Sequence, residues 1–303
     1  MASKIPVIDL LRVSLGELVA ACEEWGCFRI VNYEGILPDS LLQQMKQVVG
    51  SLLDLPAEVK ARNRAVIPGS GYMAPSPVNP LYEALGLYDT SSPQALDAFC
   101  SNLEATPHQR AVLSKYAKAV NEVMMVIGGK IVQGLGVKGF SFDDWCCQFR
   151  INKYSFAPHT VDSPGVQLHT DSSFLTLLQD DKDVGGLEVM KRSGQFEPVD
   201  PCHGTLVVNL GDIAAGFKVW SNGRFLNVKH RVMCKEAGRR LSIASFLLGP
   251  RAEMVEAPPE LVDAEHPRLF SPFTYQDYRK LRMSNNLHTG ETVDCFRIQS
   301  HKD

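Results

Sequence analysis

The sequence predicts an α+β fold: a jelly-roll β core, a double-stranded β-helix, with a mainly helical N-terminal region and a C-terminal helix. Two observations carry that prediction. Apolar residues recur at helical spacing through much of the first 140 or so residues, whereas from about Trp145 onward the period drops to two. Eight short β-rich runs then follow within about 105 residues: CCQFRINKY, VQLHTDSSFLTLLQ, GLEVMK, FEPV, TLVVNL, FKVW, RFLNVKHRVM and RRLSIASFLLG. Gly-Gly, Ser-Gly and Ser-Asn-Gly separate them, the pattern of an antiparallel sandwich or jelly roll.

The elements follow in order. Ile5 to Asp9 reads as a short strand, LGELVAACEEWG as a helix stopped at Gly26, and CFRIVNY (27–33) as a strand. Pro38 opens a helix with Leu41, Leu42, Met45, Val48 and Val49 on one stripe. Residues 66–80 hold four prolines and two glycines and read as a loop. A long helix runs from about Pro107 to Gly134, burying Val112, Tyr116, Ala119, Val120, Val123 and Ile127. Asn222-Gly223 marks a hairpin, because a type I′ turn needs φ > 0 twice. Strand character ends after Pro250, and FTYQDYRKLRM reads as the final helix. Residues 1–140 are thus expected to pack as a helical region on a core formed by 141–303, in one integrated unit.

Composition removes several classes of function. A chain of 303 residues buries roughly three quarters of its unfolded surface, so a sheltered cavity is easily supported. Lys plus Arg is 31 and Asp plus Glu is 34, and neither sign gathers into blocks. Nucleic acid and acidic membranes, which demand a basic face, are not expected partners. Pro6 and Asp9 interrupt the N-terminus where a signal peptide would be apolar, and no run of about 18 apolar residues occurs. The expected compartment is the cytosol. Eight cysteines, including the adjacent Cys146 and Cys147, lack the spacing of a disulfide framework and are expected as reduced, packed thiols. The letters favour neither a monomer nor a homo-oligomer.

The strongest chemical signal is His169-Thr170-Asp171. On a strand, residues i and i+2 emerge on one face about 6.8 Å apart. His230 follows 59 positions after Asp171 in another β-rich run. Two histidines and a carboxylate on neighbouring jelly-roll strands form the facial triad that holds non-haem ferrous iron. His-x-Asp alone is common, and with eight histidines in the chain the same letters also fit core or surface imidazoles. Arg240 and Ser242 again lie two apart. An arginine directed into an apolar barrel has to meet an anion, since an unpaired buried charge costs several kcal/mol. A dicarboxylic co-substrate with one end on Arg240 and the other on the metal satisfies both sites; a surface arginine, as expected for Arg239, is the alternative. His108, His203 and His266 have no carboxylate at ligand spacing and are expected in solvent, as are the charges of Glu23-Glu24 and Asp180-Asp181.

In this order and spacing, His169-x-Asp171, His230 and Arg240-x-Ser242 resemble the iron(II)- and 2-oxoglutarate-dependent dioxygenases of plants. The likeness extends over IPVIDL, GCFRIVNY, RINKY, HTDSSFLTLL, GLEVM, VVNLGD, SNGRFLNVKHRV and RRLSIASFLLGP. It implies that His169, Asp171 and His230 hold Fe(2+) and that 2-oxoglutarate chelates the metal through its keto acid end. Arg240 and Ser242 then take its distal carboxylate, with Asn152 and Tyr154 of the Asn-x-Tyr motif beside them. Tyr154 continues into SFAP, where the family has Pro-Pro-Cys. The implied reaction consumes O2, releases succinate and carbon dioxide, and is supported by ascorbate, with no separate acid or base residue.

Within the family, residues 71–89, residues 217–232 and the short C-terminal tail are most similar to the auxin-oxidising members. The implied substrate is indole-3-acetic acid and the product 2-oxindole-3-acetic acid, in hormone inactivation. Gibberellins, flavonoids and glucosinolate side chains are the alternative substrates, and a non-catalytic ligand sensor is the alternative function. Phe156, Phe174, Phe217 and Trp220 are expected either as flat walls for an indole ring or as plain core. Tyr72 and Tyr82 are expected as a lid and His159 as a partner for the substrate carboxylate. Arg150, in a stretch shared across the family, points to no particular substrate.

Overall fold

The computed structural model describes residues 5–214, 219–285 and 287–298. Strand Val7–Asp9 (β1) leads into helix Leu15–Glu24 (α1), whose first turn is capped by the Ser14 hydroxyl. Gly26 ends that turn of chain: its φ is 65°, and a Cβ there would stand 2.1 Å from the Leu226 carbonyl oxygen. Strand Cys27–Val31 (β2), helix Asp39–Leu53 (α2) and the short turn Ala57–Lys60 (α3) follow. Next come strand Tyr82–Tyr88 (β3) and helices Pro93–Asn102 (α4) and Pro107–Gly134 (α5). Thr106 and Gln109 cap α5 reciprocally, so the sharp start expected at Pro107 has a local cause.

Three of these elements were not expected: α3, β3 and α4. β3 carries Glu83 and Gly86 in a run too broken to read as a strand, and only its pairing with the next strand makes it one. For α4 the local signal exists, a Ser92 cap with Pro93 at the first helical position.

The second half forms Trp145–Phe156 (β4), Pro164–His169 (β5), Leu175–Gln179 (β6), Leu187–Met190 (β7) and Phe196–Pro198 (β8). Leu206–Leu210 (β9), His230–Met233 (β10) and Gly238–Pro250 (β11) complete the core. The strands are eight, but not the eight expected. VQLHTDSSFLTLLQ divides into β5 and β6, which lie in different sheets. FKVW is not a strand where it is described: Val219 and Trp220 lie in a turn, while Phe217 and Lys218 fall outside the described residues.

Asn222-Gly223 has φ values of 44° and 107°, yet no strands pair across it among the described residues. The Asn222 amide instead donates to Leu261 O at 2.8 Å, and its Oδ1 accepts from the Leu269 N–H at 3.2 Å. The turn therefore anchors the C-terminal segment. There Met254–Val255 (β12) pairs with Phe273–Thr274 (β13), and Tyr275–Ser284 (α6) forms the expected last helix.

A seven-stranded sheet in the order β1-β2-β9-β6-β11-β4-β3 faces a four-stranded sheet in the order β5-β10-β7-β8. The first 140 residues thus supply three strands of the larger sheet as well as helices. Strand alternation sorts its side chains into two cores. Phe149, Ile151, Leu177, Val208 and Ile243 pack against the helical layer with Leu18, Met45, Leu113 and Tyr116. Tyr154, Leu178, Val207 and Ala244 pack toward the smaller sheet with Leu187, Val189 and Val232.

All eight cysteines are unpaired and six are buried, as expected of packed thiols. Burial pushes the Cys27 thiol up to about 12 and that of Cys146 up to about 11. Among the described residues no helix is long and apolar enough to cross a membrane.

Candidate active site

β5 and β10 are antiparallel neighbours in which His169 and His230 are register partners. Pairing therefore brings two residues distant in sequence to a ring separation of 4.2 Å. Asp171 lies just beyond the end of β5, and its Oδ1 is 3.8 Å from His169 Nε2 and 3.7 Å from His230 Nε2. The ligand atoms of all three lie within 4.8 Å of one another. Such spacings are too long for direct hydrogen bonds and short enough for one cation to lie between them.

The backbone orients both rings. His169 Nδ1 is 2.8 Å from Gln167 O, and His230 Nδ1 is 3.2 Å from Val228 O. A carbonyl only accepts, so each Nδ1 carries the proton and each Nε2 presents a lone pair. Asp171 Oδ2 accepts from Thr176 at 2.6 Å, and Thr176 in turn meets the Ser173 hydroxyl at 3.0 Å, which leaves Oδ1 for a ligand. Burial, with His230 adding to it, pushes His169 down to about 4, so it is neutral near pH 7 and able to ligate. Two imidazoles and one carboxylate, fixed on one side with room opposite, suit ferrous iron.

The triad opens on a cavity of about 100 Å³ between the two sheets. On the larger sheet Arg240 is paired in register with Tyr154, and Ser242 with Asn152, so all four face this space. Arg240 is 1% exposed. Its Nη2 donates to Asp180 Oδ1, its guanidinium lies 4.8 Å over the Tyr154 ring, and its Nε and Nη1 have no hydrogen-bond partner among the described residues. Asn152 Nδ2 donates to Ser242 Oγ at 3.3 Å, and the Tyr82 hydroxyl donates to Asn152 Oδ1 at 2.8 Å. Two buried guanidinium nitrogens without acceptors are costly in an isolated protein and fit a carboxylate arriving from the cavity.

The expectation that Asp180 and Asp181 stand in solvent is wrong. Asp180 is largely buried against Arg240, and burial raises its pKa. Asp181 accepts from the N–H groups of Asp183, Val184 and Leu241 and is 4% exposed. The anion that Arg240 needs is thus partly internal, and only one edge of the guanidinium is left for a ligand.

Of the described residues expected to touch or cover substrate, Tyr82 lines this cavity and the others do not. Phe174 and Trp220 sit 5.1 Å apart within a core of Phe140, Phe142 and Trp145, and neither lines the cavity. Phe156 packs beside Tyr154, one strand step beyond the lining residues. Tyr72 is half-buried and donates to Glu83 Oε1 at 2.7 Å, on the opposite face of β3 from the cavity. His159 is exposed in a short turn. Tyr82 lines the cavity from β3 itself rather than from a loop lid. His108, His203 and His266 are exposed, as expected.

Sequence reasoning set Arg150 aside and did not single out Asn209 or Thr176, all three of which line the cavity. Arg150 is 7% exposed; its Nη1 donates at 2.7 Å to both Gly69 O and Gly71 O, while its Nη2 is unpartnered. Asn209 is buried beside Thr176 with an unpartnered Oδ1. The available signal was the single polar residue of LVVNL for Asn209 and, for Arg150, its place two positions before Asn152 on the same strand face.

Comparison with known proteins agrees with this geometry. The model of the 2OG-Fe(II) oxygenase superfamily matches residues 145–249, and that of the non-haem dioxygenase N-terminal region named for morphine synthesis matches residues 5–85. The 2-oxoglutarate-dependent dioxygenase DAO of Oryza sativa is 48% identical over 298 residues, covering 96% of this chain and 98% of that protein. The crystal structure of the rice dioxygenase for auxin oxidation superposes with a TM-score of 0.88 at 47% identity, covering 97% of this chain and 100% of the other. The Arabidopsis thaliana dioxygenase for auxin oxidation 1, in a binary complex with 2-oxoglutarate, gives 0.82 at 53% identity over 87% of this chain and 100% of the other. A gibberellin 2-beta-dioxygenase of Oryza sativa is 29% identical over 98% of this chain and 85% of its own length.

Proposed function

The chain belongs to the 2OG-Fe(II) oxygenase superfamily and is a 2-oxoglutarate-dependent dioxygenase; from that premise we propose that it oxidises indole-3-acetic acid to 2-oxindole-3-acetic acid. One observation carries the chemistry. A single cavity holds the His169, Asp171 and His230 cluster together with two buried arginines that each keep an unpartnered N–H. The substrate is supported by the full-length likeness to auxin-oxidising enzymes, well above that to the gibberellin dioxygenase.

His169, Asp171 and His230 would hold the ferrous ion, and Arg240 and Ser242 the distal carboxylate of 2-oxoglutarate. A metal and 2-oxoglutarate held there would supply an oxidant from O2, with release of succinate and carbon dioxide. The chain's own residues orient and enclose. The Nδ1–H bonds keep both imidazole lone pairs inward, and Thr176 holds Asp171 Oδ2 away from the metal side. Tyr154 stacks under the Arg240 guanidinium, and Asn152 aligns the Ser242 hydroxyl. Val166, Leu178, Leu187 and Val232 give the same space apolar walls. Ascorbate would keep the metal ferrous, and the cytosol, with its reduced thiols, is the compartment that suits it.

Arg150 is the residue best placed to take the substrate carboxylate, since Arg240 is committed to the co-substrate. Arg150→Lys is expected to raise the KM for indole-3-acetic acid about 10-fold or more, as a point charge replaces a planar fork, with the KM for 2-oxoglutarate within about twofold. The preference for the free acid over its methyl ester should shrink as well. An unchanged acid-to-ester preference would remove Arg150 from substrate recognition.

The overall reading is tested by mass analysis of products from indole-3-acetic acid incubated with iron, ascorbate and 2-oxoglutarate. A product heavier by one oxygen, with stoichiometric succinate, is expected. Turnover of gibberellins, flavonoids or glucosinolate side chains in preference to indole-3-acetic acid would reassign the substrate. Absence of succinate with every acid, despite bound iron, would favour a sensor.

A further inference from the structure

The β ladder fixes His169 but stops there, so the position of Asp171 relative to His169 depends on the peptide at Thr170. That peptide is gripped from outside the β core. Arg282, on α6, donates from Nη2 to Thr170 O at 2.6 Å and to His288 O at 3.0 Å. Its Nη1 donates to Thr170 Oγ1 at 3.3 Å and to Asp212 Oδ2. The Tyr278 hydroxyl donates to the same Asp212 oxygen, and Asn227 donates to Asp212 Oδ1 at 2.6 Å. Asp212 then returns its own N–H to Asp171 O at 2.8 Å, while the Thr170 N–H reaches His288 O at 2.8 Å. One turn before Arg282 on the helix, Arg279 donates to Ser172 Oγ at 2.5 Å.

This network is deep: Asp212 and Tyr278 are 0% exposed, Thr170 1% and Arg282 6%. None of these four lines the cavity. A buried ion pair is a weak source of stability compared with apolar packing of the same volume. Its consequence here is geometric. It bonds the carbonyl and hydroxyl of Thr170 and the carbonyl of Asp171, the atoms that set how the imidazole and the carboxylate stand to each other.

We propose that Arg282, acting with Asp212, is a positioning residue for the metal site, fixing the peptide that joins His169 to Asp171. The proposal rests on the assignment of His169, Asp171 and His230 as the ligands. Arg282→Lys keeps a charge opposite Asp212 but cannot span the same acceptors. The paired variant Asp212→Asn/Arg282→Met leaves no unpaired ion should the lysine variant fail to fold. Leu113→Ala, in the helical layer, serves as a purely structural control.

The experiment titrates the metal-free full-length proteins with cobalt(II), reading the visible d–d bands, and records their melting. In both Arg282 variants the cobalt Kd is expected to rise about 10–100-fold, the range for loss of an outer partner of a metal ligand, with altered band positions. Leu113→Ala is expected to melt earlier while binding cobalt as the unmodified protein does. Unaltered affinity and spectrum in both Arg282 variants would overturn the proposal, as would a Kd rise equalled by Leu113→Ala. Absence of cobalt binding by the unmodified protein, or unchanged binding by His230→Ala, would instead overturn the ligand assignment and the proposal with it.

Discussion

His230→Ala is expected to lose both ferrous iron and 2-oxoglutarate turnover while keeping the fold. His230 sits at the first position of β10, and among the described residues its side chain hydrogen-bonds Val228 O alone. The ladder to β5 and β7 uses backbone groups that alanine retains. Removing one of three ligands should exceed the about 10–100-fold cost of losing an outer partner, so iron falls to background at micromolar concentration. Metal analysis of the anaerobically loaded protein and succinate release check this together. Iron near one per chain with turnover retained would take His230 out of the triad.

Arg240→Lys is expected to raise the 2-oxoglutarate KM by an order of magnitude or more. A bidentate charge-assisted contact is worth about 1.5–3 kcal/mol, and about 1.4 kcal/mol corresponds to tenfold. Lysine still neutralises Asp180, so the melting temperature should move little. Arg240→Met separates the two duties of this residue. It strands a largely buried Asp180 carboxylate, an expected loss of about 3–5 kcal/mol in stability, visible in denaturant unfolding whether or not co-substrate is present. A 2-oxoglutarate KM that stays put in Arg240→Lys would reject the assigned role.

Of the two pairs at spacing i and i+2, Arg240-x-Ser242 was legible because strand geometry is local. Arg240 and Ser242 share a face of β11 for that reason alone, and Asn152 and Tyr154 join them through register. The spacing predicts His169 and Asp171 on one strand face, but Asp171 lies in the turn after β5 and reaches the two imidazoles through contacts that local period does not encode. Phe174 shows the same limit with the opposite outcome. It is three residues from Asp171, yet the turn directs it into the aromatic core with Trp220.

Charge was harder to place. Asp180 looks like a turn carboxylate until β6 and β11 are seen as neighbours, after which it is the internal partner of Arg240. Asn209 looks like an isolated polar residue in an apolar strand, and Arg150 like one more polar residue of a mixed one, until both sheets are assembled around one cavity. The Lys60, Glu83 and Lys153 cluster that ties α3 to β3 and β4 depends on a strand the sequence did not announce.

By itself the sequence determined the jelly-roll class, the long helix from Pro107, and the residue types and spacing of the triad and of Arg240-x-Ser242. Those follow from periodicity and from chemistry acting over a few positions. Only the tertiary structure decided which side chains share the cavity, which carboxylate neutralises Arg240, and what holds the peptide between His169 and Asp171. These depend on strand register and helix docking, where a step of one residue turns a side chain from the cavity to the opposite core.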